Sequence, residues 1–266
     1  MNKIIVAIGG GENGRTLENG KKTIYDTKTI DEQIIALTKK KTPNFLFLAH
    51  AMSFSLEIEE SYYQTMKKIY KDMFNCNSRI LKSSDLDNKE KVSEFISWAD
   101  IIYEGGGDTK IMLDLWKKTG FDKILYNAWN MGKVICGNSA GAVCYFNSCN
   151  SDYYDKNNKM SFENIKCLNW FNAYITPHYD ESGRKLSSKK HLKENGLVGI
   201  MLSNCSALVI LDDKFKVICE DCNHRKIKKG FVYKCFYKDG KYYKIKIDNN
   251  DYHPLSELLS YNEDGV

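Results

Sequence analysis

The chain predicts an α/β fold with a mostly parallel sheet flanked by helices, and three observations predict it. Apolar runs of strand length alternate with helical patterns from the first residues to about residue 210. Glycines cluster where several of those runs end, and after Asn204 the texture changes to short strands separated by polar turns. In order, residues 3–8 read as a strand, 29–39 as a helix and 44–49 as a strand, with Pro43 stopping the helix before that strand. A helix over 56–73 precedes a strand at 100–103, a helical pattern at 111–116 and a buried strand at 133–138. Residues 171–176 form a further strand. The runs 207–211, 216–219 and 231–236 read as antiparallel hairpins finishing one edge of the sheet near the C-terminus. Residues 151–158, rich in Asp, Asn, Tyr and Lys, read as a solvated surface loop, and residues 249–266 as a partly ordered tail. No repeat, linker or low-complexity tract divides the chain, so residues 1–266 are expected to form a single domain.

The strand at 133–138 runs into Gly137-Asn138-Ser139-Ala140-Gly141-Ala142, the G-x-S-x-G pattern of a nucleophile elbow. A Ser on a sharp strand-to-helix turn needs small neighbours two residues away on each side, so that strand and helix can approach. Its hydroxyl then stands at the carboxyl edge of the sheet, and the Ala140 amide, at the start of a helix, is free to donate to a developing oxyanion. The plainer alternative is a small-residue turn without chemistry.

A second glycine-rich turn, Glu104-Gly105-Gly106-Gly107-Asp108-Thr109, follows the strand at 100–103 and falls on the same sheet edge. An amide of Gly106 or Gly107 is a natural second oxyanion donor. Asp108 and Thr109 also suit N-caps of the following helix. Five histidines are available as a base: His50, His178, His191, His224 and His253. His178 stands just past a strand end, after Pro177, where catalytic groups commonly sit. His50 ends the strand at 44–49 and is its competitor.

Taken together and in this order, E-G-G-G-D-T, G-N-S-A-G-A and T-P-H-Y-D resemble the motifs of the peptidase E and cyanophycinase family of serine peptidases. The resemblance extends from Met1 to about residue 225. It implies a flavodoxin-like, glutamine amidotransferase-like domain with Ser139 as nucleophile and His178 as general base; the amides of Gly107 and Ala140 are then the expected oxyanion hole. Members of the peptidase E branch remove an N-terminal aspartate from short peptides, so an aspartyl dipeptidase is one expectation. The family's third catalytic group, a carboxylate between Ser and His in the chain, matches Asp152 best by position, with Asp155 and Glu163 as alternatives in the same region. Asp180 reads as a turn residue or a substrate contact. Asp108 stands where better-known members carry Asn, and an acid there disfavours an acidic substrate group placed close by. For substrate binding the expected residues are Asp108 and Arg184, whose guanidinium can pair bidentately with a carboxylate; a plain surface charge is the alternative for Arg184.

Other motifs are weaker. Gly9-Gly10-Gly11-Glu12-Asn13-Gly14 lacks the ending of a phosphate loop and is expected to border the active-site edge without binding a nucleotide. Cys219, Cys222 and His224 make half a zinc site with no second pair facing it, so no metal or other cofactor is expected.

At 266 residues the chain can bury a substantial core. The net charge of +5 is modest and its lysines are dispersed among acids; the patches at 39–41 and 226–229 are short, so nucleic acid is not an expected partner. Nine scattered cysteines, several in apolar runs, suggest reduced thiols in a cytoplasmic protein. No secretory or membrane-spanning run is visible. The expected partner is a small peptide substrate, and an exposed strand edge would support a homodimer. A rival expectation is a non-catalytic glutamine amidotransferase-like binding or regulatory protein, motivated by Asp108 and the undetermined third acid. An esterase using the same groups is a third.

Overall fold

The computed structural model describes residues 2–17, 19–222, 226–248 and 251–263. The first half of the chain alternates strands and helices: β1 (Ile4–Ile8), α1 (Lys28–Leu37), β2 (Asn44–Leu48), α2 (Leu56–Lys67), β3 (Asn77–Leu81) and α3 (Lys89–Trp98). Next come β4 (Ile101–Glu104), α4 (Thr109–Thr119), α5 (Phe121–Asn130), β5 (Val134–Asn138) and the short α6 (Ala140–Val143). The second half holds β6 (Phe146–Tyr154), β7 (Met160–Lys166), β8 (Phe171–Thr176), α7 (Arg184–Asn195), β9 (Gly199–Leu202) and β10 (Ser206–Leu211). It ends with β11 (Lys214–Cys219), β12 (Val232–Lys238), β13 (Lys241–Ile247), β14 (His253–Pro254) and α8 (Leu255–Leu259).

The mixed α/β architecture follows the sequence pattern, with a sheet that is parallel through its larger part. Eight strands lie in the order β14-β11-β10-β1-β5-β4-β2-β3. From β1 to β3 all neighbours are parallel, and β10, β11 and β14 complete the opposite edge as antiparallel strands. Alternation along β1 explains why its run is apolar throughout. Ile5 and Ala7 enter one core, and Ile4, Val6 and Ile8 enter the other, so both faces of the sheet are covered.

A second sheet was not foreseen. Six strands in the order β13-β12-β9-β8-β6-β7 form it, with β8 parallel to both β6 and β9 and the outer pairs antiparallel. The run at 231–236 therefore belongs to this second sheet, not to the edge of the first. The expected surface loop at 151–158 is mostly hairpin: β6 continues to Tyr154 and pairs with β7. Polar side chains mark the exposed outer end of this pair, which is why composition alone suggests a loop. Both sheets contribute to one core, in which Ile5 and Leu46 of the first join Phe146, Ile175, Ile200 and Val232 of the second.

The expected tail is docked over its described part. His253 and Pro254 pair with β11, and Leu258 is fully buried. Lys234, itself buried, donates from Nζ to the carbonyls of Glu257 at 2.6 Å and Asn262 at 3.3 Å. Glu257 lies in the last turn of α8, and its carbonyl also accepts from Ser260 Oγ at 3.1 Å. Among the cysteines, Cys205 and Cys222 form a disulfide, which corrects the expectation of reduced thiols throughout; the other seven are free. His224 lies outside the described residues, and Cys222 is committed to that bond. No described helix is long and apolar enough to cross a membrane.

If the C-terminal segment is part of the core, Leu258→Ala should cost about 2–4 kcal/mol of stability. Urea denaturation measures this, and a loss below about 0.5 kcal/mol would mean that the segment contributes no packing.

Candidate active site

Ser139 occupies the bend between β5 and α6 with φ 53° and ψ −111°, a conformation costly for a residue with a side chain. The bend is held on both sides: the Ser139 amide donates to Ile8 O at 3.0 Å, and its carbonyl accepts from Ala142 and Val143. The flanking glycines are required by contact. A Cβ on Gly137 would overlap the Gly141 carbonyl, and one on Gly141 would overlap the Glu104 carbonyl. The strand, the helix and β4 therefore approach at backbone distance, lifting the Ser139 hydroxyl to the sheet edge.

His178 reaches this hydroxyl from the other sheet. It follows the end of β8 with φ 50°, and its amide donates to Gly9 O at 2.8 Å. Its Nε2 lies 2.9 Å from Ser139 Oγ, and its Nδ1 lies 2.9 Å from Asn204 Oδ1. The surroundings of Asn204 settle the tautomer. Its Nδ2 donates to both carboxylate oxygens of Asp180 at 3.1 Å and to Glu181 Oε1 at 3.0 Å. An amide oxygen in that position would face two acceptors, so Nδ2 must point there and Oδ1 must face the imidazole. Nδ1 accordingly carries the proton and donates it to Asn204, leaving Nε2 as the acceptor for the Ser139 hydroxyl.

Asp152 does not take the third position expected for it. It lies on β6 and pairs with Arg184 at the start of α7. Asp155 caps the β6–β7 turn, accepting from the amides of Asn157 and Lys159, and Glu163 stands on β7 opposite Ser151. The carboxylate nearest the imidazole is Glu181, whose Oε1 is 3.4 Å from Nδ1. Its hydrogen bond to His178 dominates the other influences and, with help from Asn204 and Arg184, holds its pKa down at about 2. Sequence spacing could not reveal Asn204: it sits in an ordinary Ser-Asn-Cys turn, and only the meeting of the two sheets brings that turn to His178.

His50, the competing base, is fully buried and has both ring nitrogens engaged. Trp116 Nε1 can only donate, and does so to Nδ1 at 2.9 Å, which makes Nε2 the donor to Leu81 O. Burial lowers its pKa to about 4, so this ring is a neutral core residue.

Neither expected substrate contact lines the cleft beside Ser139. Asp108 caps α4, its Oδ1 accepting from the amides of Lys110 and Ile111. Arg184 is buried, donating to Asn150 O at 3.0 Å as well as to Asp152, with its guanidinium over the Phe162 ring. The cleft itself, about 500 Å³, is bordered by Ser139, His178, Gly106, Tyr62 and the loop after β1, which contributes Glu12 and Arg15. That loop therefore borders the site as its position at a strand end suggested. Of the glycines in the second turn, Gly106 lies against Ser139, while Gly107 packs on Ala51. The Gly106 amide donates to Tyr62 Oη at 3.2 Å. Among the described residues, the amides of Gly107 and Ala140 have no acceptor.

Residues 16–218 match the sequence profile of Peptidase family S51, three-quarters of the chain, including Ser139, His178 and Asn204. The chain belongs to peptidase family S51. It is thus a peptidase hydrolase of the serine type, in keeping with the peptidase E resemblance of its motifs. It is 30% identical over 216 residues to the uncharacterized peptidase YgaJ of Bacillus subtilis (strain 168), spanning 80% of this chain and 85% of that one. A crystal structure of a peptidase from an acI-B1 Actinobacterium superposes with a TM-score of 0.70 at 19% identity, covering 96% of this chain and 97% of the other. A crystal structure of a candidate peptidase E protein from Listeria monocytogenes EGD-e superposes with a TM-score of 0.57 at 20% identity, over 82% and 98% of the two chains. These two superpositions show that the S51 member has the fold of solved peptidases.

Gly10 offers a test of the site's precision. It has φ 143°, and a Cβ there would overlap His178 Nδ1 and Cε1 and Asn204 Oδ1. Gly10→Ala should lower kcat/KM of the S51 enzyme by about 10²-fold or more through misplacement of the imidazole; steady-state kinetics at wild-type rates would show that the ring is not held there. For Glu181 the sign follows from its depressed pKa. Its contribution to stability is complete above its ordinary value of 4.5 and is lost as the pH falls through about 2. The stability gap between wild type and Glu181→Gln, from urea midpoints, should therefore narrow between about pH 5 and about pH 2; a constant gap would remove Glu181 from the network.

Proposed function

We propose that this S51 peptidase hydrolyses short peptides through an acyl-enzyme on Ser139, with His178 as general base and Asn204 as the group that orients it. The observation carrying this reading is the continuous chain Ser139 Oγ, His178 Nε2 and Nδ1, and Asn204 Oδ1, with 2.9 Å at both links. His178 accepts the hydroxyl proton as Oγ attacks the peptide carbonyl, then returns a proton to the leaving amine as the C–N bond breaks. Water repeats the sequence on the ester and releases the acyl group. The amides of Ala140 and Gly107, free of other acceptors, are the backbone donors to the oxyanion. As imidazolium forms, Nδ1–H donates to a neutral amide oxygen, with Glu181 beside it at 3.4 Å and Asp180 behind the amide supplying negative charge.

Selection is assigned to the cleft's own charges. Arg15 is the cation among the residues bordering it, and it pairs with Glu12 across 3.1 Å on the open side. A peptide carrying a carboxylate close to the scissile bond, N-terminal aspartyl peptides included, can exchange with Glu12 for that guanidinium. The rival non-catalytic binding protein rested on Asp108 and the undetermined third acid; against it stand Asp108's engagement as the cap of α4 and the hydrogen bond of Asn204 to Nδ1 in the position the acid would take.

The test is release of amino acids from a panel of short peptides with and without acidic residues. Ser139→Ala should abolish release, and Asn204→Ala should lower kcat by about 10²–10⁴-fold, as loss of an imidazole-orienting group does. Equal release by wild type and Ser139→Ala would sink the assignment of the nucleophile.

A further inference from the structure

We infer that the phenolic hydroxyl of Tyr62 is a further catalytic group, donating a hydrogen bond to the substrate carbonyl oxygen as Ser139 attacks and negative charge develops there. This rests on the reading of Ser139 as nucleophile. Tyr62 lies on α2, outside every motif of the sequence, and borders the cleft together with Ser139 and His178.

Its position is fixed from two sides. The ring meets Phe47 edge-on at 5.0 Å, and it is seated against the bare backbone of Gly105, where a Cβ would overlap ring carbon Cε1. The oxygen is held by the Gly106 amide, which donates to it at 3.2 Å. Gly106 is the residue that lies against the nucleophile: a Cβ on it would stand 3.4 Å from Ser139 Cβ. The phenol oxygen is thus anchored on the turn that faces the reacting atoms.

The hydrogen-bond inventory then leaves one capacity to assign. A phenol that accepts from an amide still has its own proton to give. The side chain of Asn138, the residue before the nucleophile, also donates to the phenol oxygen, while its own buried Oδ1 has no partner among the described residues. Burial also raises the phenol's pKa, so the hydroxyl keeps its proton. An amide of the glycine-rich turn is consequently not lost to the oxyanion by pointing at Tyr62. Its N–H polarises the phenol, and the O–H passes that donor capacity into the cleft.

Tyr62→Phe retains the ring and removes the hydroxyl, both its proton and the oxygen that accepts from the Gly106 amide, and an unchanged urea midpoint shows that the fold is undisturbed. The probe is a fluorophosphonate, in which Ser139 Oγ bonds to phosphorus, fluoride leaves, the hydroxyl proton passes to His178, and the phosphoryl oxygen takes the place of the oxyanion. The labelling rate of Tyr62→Phe should fall by about 10–100-fold, as removal of one oxyanion donor predicts. On the best peptide of the panel kcat should fall similarly, with KM within about twofold. A labelling rate equal to or above that of the wild type would overturn the inference, a rise indicating that the hydroxyl only blocks the Gly106 amide. Labelling that persists in Ser139→Ala would instead remove the serine reading itself, and Tyr62's role with it.

Discussion

The amide nitrogen of Asn204 faces two carboxylates, and that single orientation determines how protons are placed across the site. With Nδ2 donating to Asp180 and Glu181, Oδ1 can only accept, so the imidazole Nδ1 must be protonated and Nε2 must be free for the Ser139 hydroxyl. A carboxylate directly on Nδ1 would supply charge and orientation in one group. Here the two are divided: the amide orients, and the field comes from Glu181, 3.4 Å from Nδ1, and from Asp180 beyond the amide. Asp180 also accepts from the Asn204 backbone amide at 2.7 Å, so side chain and main chain of the same residue are tied to one acid.

The two sheets divide the chemistry in the same manner. Ser139, the Ala140 amide and the glycine-rich turn come from the carboxyl edge of the parallel strands β5 and β4. His178 follows β8 and Asn204 follows β9, both in the second sheet. Their meeting is made precise by the loop after β1: the Gly9 carbonyl accepts from His178 N, and the Gly10 carbonyl accepts from Cys205 N at 2.9 Å. Because Ile5, Phe146 and Ile175 share one close-packed core, a shift of one sheet against the other would disturb many contacts at once.

Much of this was legible in the residues. Continuous apolar runs alternating with helical patterns, and the positions of glycines, located the parallel sheet, and the elbow located the strained Ser139. The Pro177-His178 step placed a histidine at a strand end. What could not be read was which residues the second sheet brings close. Asp152 has the right position along the chain, but β6 turns it toward Arg184, and a buried guanidinium is a stronger claim on a carboxylate than an imidazole some distance away. Asn204 carries no charge and no motif, and Tyr62 looks like any half-buried aromatic on an amphipathic helix. The hairpin of β6 and β7 was hidden because its outer end is polar and the stability of its inner end comes from tertiary packing, which local composition does not register.

The central place of β1 has a consequence for biosynthesis. This first strand lies between β5 and β10, so Ile4 pairs with both Val134 and Leu211. An emerging chain holds its N-terminal strand without either neighbour until more than half of the polypeptide has been made, and without the second until the turn bearing Asn204 has also appeared. The central strand beneath the Ser139 bend therefore gains both its partners only once the chain has been made through Leu211, so the two halves of the cleft are joined late in synthesis.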